Sequence, residues 1–198
     1  LCIVTIFSKS TTANADDRYV KLCERYFTEF AEDYGKFGQK DGFTYLYSDK
    51  KNTATIVAIP MEQKKVAVPE KINGKTVTKI ELMDVFSCSS NYYFRDEFYG
   101  EHEDNPVPKV EYLSIPKTVK VINIYAGIGL TEGYCGELQS YLVHLKKFNV
   151  ASANKWYRSY KGMLYTKNGK KLLLVPRKYM AKTVKVKKGT TKIADSAF

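Results

Sequence analysis

The chain has 198 residues, of which 44% are hydrophobic, 27% charged and 14% aromatic. These proportions fit one folded domain with a short extra element and exclude wholesale disorder. The formal net charge of +11 is compatible with an anionic partner such as an acidic polymer, a membrane surface or nucleic acid.

The amino-terminal residues resemble the second half of a secretory signal peptide. An apolar run over residues 1–7 is followed by a polar stretch and by Ala13-Asn14-Ala15, a small-x-small sequence typical of a cleavage site. We therefore expect residues 1–15 to be a signal-peptide remnant, with a buried first strand as the alternative. No segment is long and apolar enough to predict a membrane span.

Residues 16–38 are predicted to form an amphipathic helix. Asp16 and Asp17 stand in its first turn, where carboxylates interact favourably with the helix dipole. Apolar side chains recur at steps of three and four and form one stripe: Tyr19, Leu22, Cys23, Tyr26, Phe27 and Phe30. Because the open ends of repeat proteins require caps, we expect this helix to cover the amino-terminal end of the repeats that follow.

Residues 39–198 have the pattern of many short strands, in which Val, Ile, Leu and Tyr alternate with other residues between Pro, Gly, Asn and Lys turns. An apolar-x-apolar pair followed by Pro or Lys occurs three times, in Val66-x-Val68-Pro69, Leu113-x-Ile115-Pro116 and Val184-x-Val186-Lys187. The spacings of 47 and 71 residues are close to two and three units of about 23 to 24 residues, within the range of leucine-rich repeats. The pattern therefore predicts a mainly β solenoid whose coils stack these apolar pairs.

These residues resemble the BspA-type leucine-rich repeats of bacterial surface and secreted proteins, from about residue 42 to residue 198. The segments that carry the resemblance are Gly42-Phe43-x-Tyr45, Val68-Pro69-x-x-Ile72-x-Gly74-Lys75-x-Val77, Gly162-x-Leu164-Tyr165 and Ile193-Ala194-Asp195-Ser196-Ala197-Phe198. The resemblance implies a leucine-rich-repeat fold and a secreted or cell-surface location. It also implies interaction or adhesion through an extracellular protein or glycan partner.

Residues 89–109 depart from the repeat and are predicted to be an insertion. This insertion contains the predicted binding residues, which are Tyr92, Tyr93, Phe94, Phe98 and Tyr99. Aromatic clusters on loops often form contact surfaces, although these side chains could instead fold back over a weak point of the solenoid. The last repeat stops at Phe198 without a carboxy-terminal cap, so we expect the natural chain to continue.

The sequence contains no pattern of catalytic chemistry. GxSxG, Walker-type and HExxH sequences are all missing, and the four cysteines form no CxxC pair. We therefore predict no enzyme activity, no catalytic residue, no cofactor and no metal site. The first hypothesis is an extracellular interaction module.

Two alternatives to this first hypothesis remain. One is a basic surface that binds an anionic polymer, such as a cell-wall polymer or sulfated glycan, with nucleic acid not expected. The other is a scaffold part of a larger enzyme. In residues 182–188 lysine alternates with valine, which on a strand would place the lysines together on a solvated face. We interpret most of the positive charge in this way.

Overall fold

The computed structural model describes residues 36–82, 107–123, 141–195 and 197–198. These residues form thirteen β-strands in three sheets. In chain order the strands are β1 (Lys36–Lys40), β2 (Phe43–Ser48), β3 (Thr53–Ala58), β4 (Lys65–Ala67), β5 (Lys71–Ile72), β6 (Lys75–Ile80), β7 (Tyr112–Ile115), β8 (Val121–Ile122), β9 (Lys147–Val150), β10 (Tyr157–Tyr160), β11 (Met163–Thr166), β12 (Lys171–Leu174) and β13 (Lys192–Ile193).

The first sheet starts as an antiparallel meander of β1, β2 and β3. Asp41 and Gly42 form the first turn with φ values of 52° and 80°, the positive pair that a tight two-residue hairpin requires. Strand β6 then pairs parallel with β3, and β8 pairs parallel with β6. Strand β5 joins β6 through a second turn of the same kind, at Asn73 and Gly74.

The second sheet is a parallel ladder of β4, β7 and β9. Val66, Leu113 and Phe148 stand side by side in its register, and each is at most 2% exposed. Because side chains alternate between the two faces of a strand, the flanking residues of each strand face away from this core. The ladder therefore has one buried face and one solvent face.

The third sheet contains β10, β11, β12 and β13, and its first turn covers the open edge of the ladder. The Phe148 amide donates to the Gly162 carbonyl at 2.8 Å, and the Val150 amide donates to the Ser159 hydroxyl at 3.3 Å. An uncovered strand edge exposes unpaired backbone groups and invites pairing with other chains. The β10–β11 hairpin thus pairs the edge amides of Phe148 and Val150, and β9 is the last strand of the ladder.

The third sheet repeats the arrangement of the first. It is also an antiparallel meander followed by a parallel strand, here β13 beside β12. Its hairpin turn, Lys161-Gly162, has φ values of 52° and 86°. A buried tyrosine follows the turn in both meanders, and each hydroxyl accepts a hydrogen bond: Tyr45 from the Asn73 amide and Tyr165 from the Lys187 backbone. The matching φ values show that both meanders need the same turn geometry.

One apolar core connects all three sheets. It joins residues of the first meander, the ladder and the second meander, including Tyr45, Ile56, Val66, Leu113, Phe148, Leu164 and Leu174. A smaller core lies against the third sheet and contains Met163, Tyr165, Leu172, Val175 and Ala197. The third sheet thus contributes side chains to both cores.

Asn154 fastens the loop after β7 to the start of β10. Its side chain is fully buried. The amide nitrogen donates to the carbonyls of Pro116 and Val119 at 2.8 and 2.9 Å, while the amide oxygen accepts from the backbone of Trp156 and Tyr157 at 2.9 and 2.8 Å. All four hydrogen-bonding positions of this amide are therefore occupied.

The described residues bear on two sequence predictions, the fold class and the helix over residues 16–38. The described residues are mainly β, as predicted. Residues 1–15 and most of the predicted helix lie outside the described residues, and residues 36–38, its predicted end, belong to β1. These three residues are extended because they pair with β2, where the absent side chain of Gly38 leaves room for the Tyr45 ring.

The predicted strand within residues 182–188 is wrong. This segment forms no strand, and Val186 is 39% exposed. The third rung of the ladder is instead β9, 35 residues after Leu113, where Phe148 and Val150 supply the apolar pair. The described residues therefore do not confirm a continuous solenoid, because antiparallel meanders precede and follow the three-strand ladder.

Replacing Asn154 should destabilise the fold strongly. Asn154→Ala leaves two carbonyls and two backbone amides without their partner, and we expect a loss of about 3 kcal/mol in the free energy of unfolding. Asn154→Asp should be no better, because it removes both donors and places a carboxylate against two carbonyl oxygens. Urea unfolding followed by circular dichroism measures both changes. Ser152→Ala, at an exposed neighbouring position, is the matched control; an equal loss there would contradict the role of Asn154.

Candidate functional site

The predicted binding residues Tyr92, Tyr93, Phe94, Phe98 and Tyr99 lie outside the described residues. Of the predicted insertion, residues 107–109 are described. Lys109 anchors that end, since its backbone amide donates to the Met61 carbonyl at 2.7 Å and its side chain pairs with Glu62 at 2.6 Å. Within the described residues, the candidate site is the solvent face of the parallel ladder.

Two rows of side chains cross this solvent face. The first row places Tyr112 of β7 between Lys65 of β4 and Lys147 of β9, and the second row consists of Ala67, Ser114 and Asn149. Both lysines and Ala67 are exposed, while the other three side chains are half-buried. Neighbouring strands are about 4.8 Å apart, so the rows bring an aromatic ring, two cations and two uncharged polar groups into one small area.

A hollow of about 430 Å³ lies over these rows. It is lined by Lys65, Val66, Ala67, Tyr112, Ser114 and Asn149. The floor is rigid because the inward side chains of the same strands are packed in the main core. Ala67 is the smallest side chain on this face, which leaves the hollow open on the β4 side.

Glu111 is the acidic group at the start of the ladder. Its carboxylate is 2.8 Å from the Lys146 ammonium and 3.9 Å from that of Lys64. The hydrogen bond from Lys146 lowers the pKa of Glu111, and the same bond raises the pKa of Lys146. These charges therefore pair with each other, whereas Lys65 and Lys147 in the row above them form no ion pair with the described residues.

Asp49 lies in a second paired group, beside the first meander. Lys36 and Lys75 approach its two carboxylate oxygens at 2.8 and 2.7 Å. Hydrogen bonds from Lys36 and then Lys75 lower the pKa of Asp49 to about 2. This carboxylate lies between the Lys36 end of β1 and the Lys75 end of β6, two strands that β2 and β3 separate in the sheet.

Comparison with solved structures finds two similar chains. The pneumococcal vaccine antigen PcpA is 16% identical, with a TM-score of 0.34 and coverage of 83% of this chain and 62% of that chain. A leucine-rich repeat protein from Eubacterium ventriosum is 13% identical, with a TM-score of 0.34 and coverage of 79% and 55%. The chain thus spans less than two thirds of either structure, and these values are too low to transfer a fold or a function. No protein-family model and no curated protein matches the chain.

Membrane spans and metal sites can be assessed for the described residues. Within them, no helix has the length and apolar character needed to cross a membrane. Likewise, no three His, Cys, Asp or Glu side chains in this part of the chain come together as a metal site.

The Asp49 pairing predicts a specific dependence of stability on pH. Because the folded-state pKa is depressed from 3.8 to about 2, its contribution is present above about pH 4 and is lost as the pH falls towards 2. Asp49→Asn should therefore lower the melting temperature near neutral pH, and this difference from the wild type should shrink between pH 4 and 2. Thermal unfolding over a pH series tests this. The control is Asp195→Asn, which removes an exposed carboxylate without an ion pair in the described residues; its melting temperature should differ from the wild type by the same amount at every pH. If the difference for Asp49→Asn were also constant with pH, the stabilising role of the Asp49 ion pairs would be refuted.

Proposed function

We propose that this chain is a non-catalytic interaction module, displayed at the cell surface or secreted, that binds a protein or glycan through the solvent face of its parallel ladder. The observation that carries the proposal is the row in which Tyr112 stands between Lys65 and Lys147. An aromatic ring with a polar tip is well suited to contact surfaces, because it buries apolar area and still makes a hydrogen bond.

The ladder favours binding because it presents these side chains on a fixed frame. The inward neighbours Leu113, Ile115 and Phe148 are at most 2% exposed, so the outward side chains have little freedom to shift with the backbone. A rigid surface loses less conformational entropy when it binds a partner. Ser114 and Asn149 would then supply directional hydrogen bonds beside the ring of Tyr112.

A saccharide or a protein loop fits this chemistry better than a small apolar ligand does. The outward side chains of the hollow are an aromatic ring, a hydroxyl, an amide and an ammonium group, with a single alanine. Sugar rings and protein loops both offer hydroxyl or amide groups next to apolar patches. The two ammonium groups would favour partners with a carboxylate or another acidic group near the ring.

Membership of the BspA-type leucine-rich repeats is part of the proposal. The segments quoted above support it, and so does the parallel stacking of the Val66 and Leu113 pairs in one register. An extracellular location follows from that family resemblance and from the sequence of residues 1–15. The scaffold of a larger enzyme remains the alternative, and the activity of the full gene product would distinguish the two.

A binding screen with two matched variants tests the ladder face. The wild type is screened against immobilised glycans and extracellular proteins, and each hit is measured again with Tyr112→Ala and with Ala67→Arg. Truncation removes the aromatic contact, and the arginine fills the open side of the hollow, so we expect at least about tenfold weaker binding from each. Tyr112→Phe should retain most of the affinity if the ring matters more than the hydroxyl.

The matched control is Ala181→Arg, which adds the same bulk at an exposed alanine outside the hollow. Its binding should equal that of the wild type, and all variants should keep the wild-type melting temperature. If Tyr112→Ala and Ala67→Arg bind every hit as tightly as the wild type, the ladder face is not the binding surface.

A further inference from the structure

The positive charge of this chain is concentrated in its last quarter. Residues 151–198 contain 13 of the 32 basic residues and one of the 21 acidic residues, so this segment carries +12 while residues 1–150 carry −1. A uniform solvated surface would show no such division. The excess charge therefore belongs to the third sheet and the segment that follows it.

The ion-paired lysines of the described residues all lie before the same boundary. Ion pairs hold seven lysines before residue 151: Lys36, Lys64, Lys75, Lys79, Lys109, Lys117 and Lys146. Within the described residues, no basic side chain after residue 150 forms an ion pair. The charge of the third sheet is thus not neutralised by the described part of the protein.

Five of these cations gather where the β11–β12 turn meets the loop before β13. We call Lys170, Lys171, Lys187, Lys188 and Lys192 the lysine cluster. Three hydrogen bonds, two between backbone groups and one from a side chain, hold the two segments together. The amides of Thr191 and Lys192 donate to the Lys170 carbonyl at 2.8 and 3.0 Å, and the Thr190 hydroxyl donates to the Gly169 carbonyl at 3.2 Å.

Gly169 lets a lysine side chain lie directly on the turn. Its φ is +71°, and a Cβ at this position would stand 2.9 Å from Cε and 3.1 Å from Nζ of Lys187. The Lys187 ammonium also donates to the Lys188 carbonyl at 3.1 Å. Its ammonium group therefore lies over the turn at Gly169.

Lys171 and Lys192 are direct partners in the parallel pairing of β12 and β13. Like charges in directly opposed positions destabilise a sheet. Neither lysine forms an ion pair with a carboxylate of the described residues. An anion that binds between such side chains removes the repulsion, so this arrangement is more favourable with a negatively charged partner than without one.

We propose that the lysine cluster binds a linear polymer that bears sulfate or phosphate groups. Several ammonium groups on two adjoining segments match a chain of repeated tetrahedral oxyanions, because each ammonium can donate a charge-assisted hydrogen bond to such a group. Proteins that bind single-stranded nucleic acid combine cations with aromatic side chains on which the bases stack. The lysine cluster includes no aromatic residue, so it fits a sulfated or phosphorylated polymer better than a nucleic acid. This site is separate from the ladder face, so neither proposal depends on the other.

The first test measures binding of heparin, inorganic polyphosphate and single-stranded DNA by calorimetry over a range of salt concentrations. For five contacts at about 0.7 released counterions each, the logarithm of affinity should fall with that of salt with a slope of about −3.5. If heparin alone binds tightly, the natural ligand is a sulfated polysaccharide. If polyphosphate alone binds tightly, the natural ligand is a phosphate polymer. Equal binding of DNA with the same slope would overturn the choice of polymer, and the absence of binding at low salt would overturn the site.

The cluster is located with a pair of double variants. Lys187→Ala/Lys188→Ala should weaken binding about tenfold at low salt and reduce the magnitude of the slope to about 2, because two contacts are lost. The control is Lys50→Ala/Lys51→Ala, which removes an adjacent pair of exposed lysines at the β2–β3 turn. Equal losses in both double variants would show that binding follows total charge and would refute a site at the cluster.

The variant Lys192→Glu distinguishes the role of Lys192 in polymer binding from its effect on the stability of the fold. Opposite Lys171 the new carboxylate replaces repulsion by attraction, so the melting temperature without polymer should rise by about 1 to 3 °C. The same variant should bind the polymer about tenfold or more weakly. A lower melting temperature would contradict the repulsion between Lys171 and Lys192, and unchanged binding would exclude Lys192 from the site.

Discussion

The in-register stacking of Val66, Leu113 and Phe148 is the contact on which the rest of this structure depends. It joins three strands that are far apart in the chain. Once these side chains are buried, strict alternation along a strand places their neighbours on the opposite face. The main core, the solvent face of the ladder and the row that contains Tyr112 are thus consequences of one register. A slip by a single residue would exchange the two faces.

The two meanders complete what the ladder begins. Each supplies a tyrosine next to a two-residue turn with positive φ, and each is followed by a parallel strand. The β10–β11 turn also protects the edge of β9, through the contact of Phe148 with Gly162. Asn154 fixes this hairpin to the loop after β7. Polar contacts with complete hydrogen bonding therefore join the sheets where apolar packing alone would leave backbone groups unsatisfied.

The lysines of the described residues occur in two arrangements, paired with carboxylates or placed beside one another. In the first meander and at the start of the ladder, lysines pair with Asp49 and Glu111. In the third sheet they stand beside one another, as Lys171 and Lys192 do. Exposed ion pairs contribute little stability individually, but the contrast between the two regions is informative. The first pattern joins strands, and the second leaves a surface whose charge a partner can neutralise.

The sequence by itself determined those features that depend on neighbouring residues. The mainly β character, the turns at Asp41-Gly42 and Asn73-Gly74, and the burial of the Val66 and Leu113 pairs are readable because alternation and turn geometry are properties of neighbouring residues. Which segment forms the third rung was decided by tertiary structure. Val184-x-Val186 and Phe148-x-Val150 have the same local pattern, but only the second lies where β7 can pair with it and a hairpin can close its edge. The pairing of Lys171 with Lys192 could likewise not be predicted from the sequence. These residues are 21 positions apart, and which strands pair over that distance depends on tertiary packing rather than on local pattern.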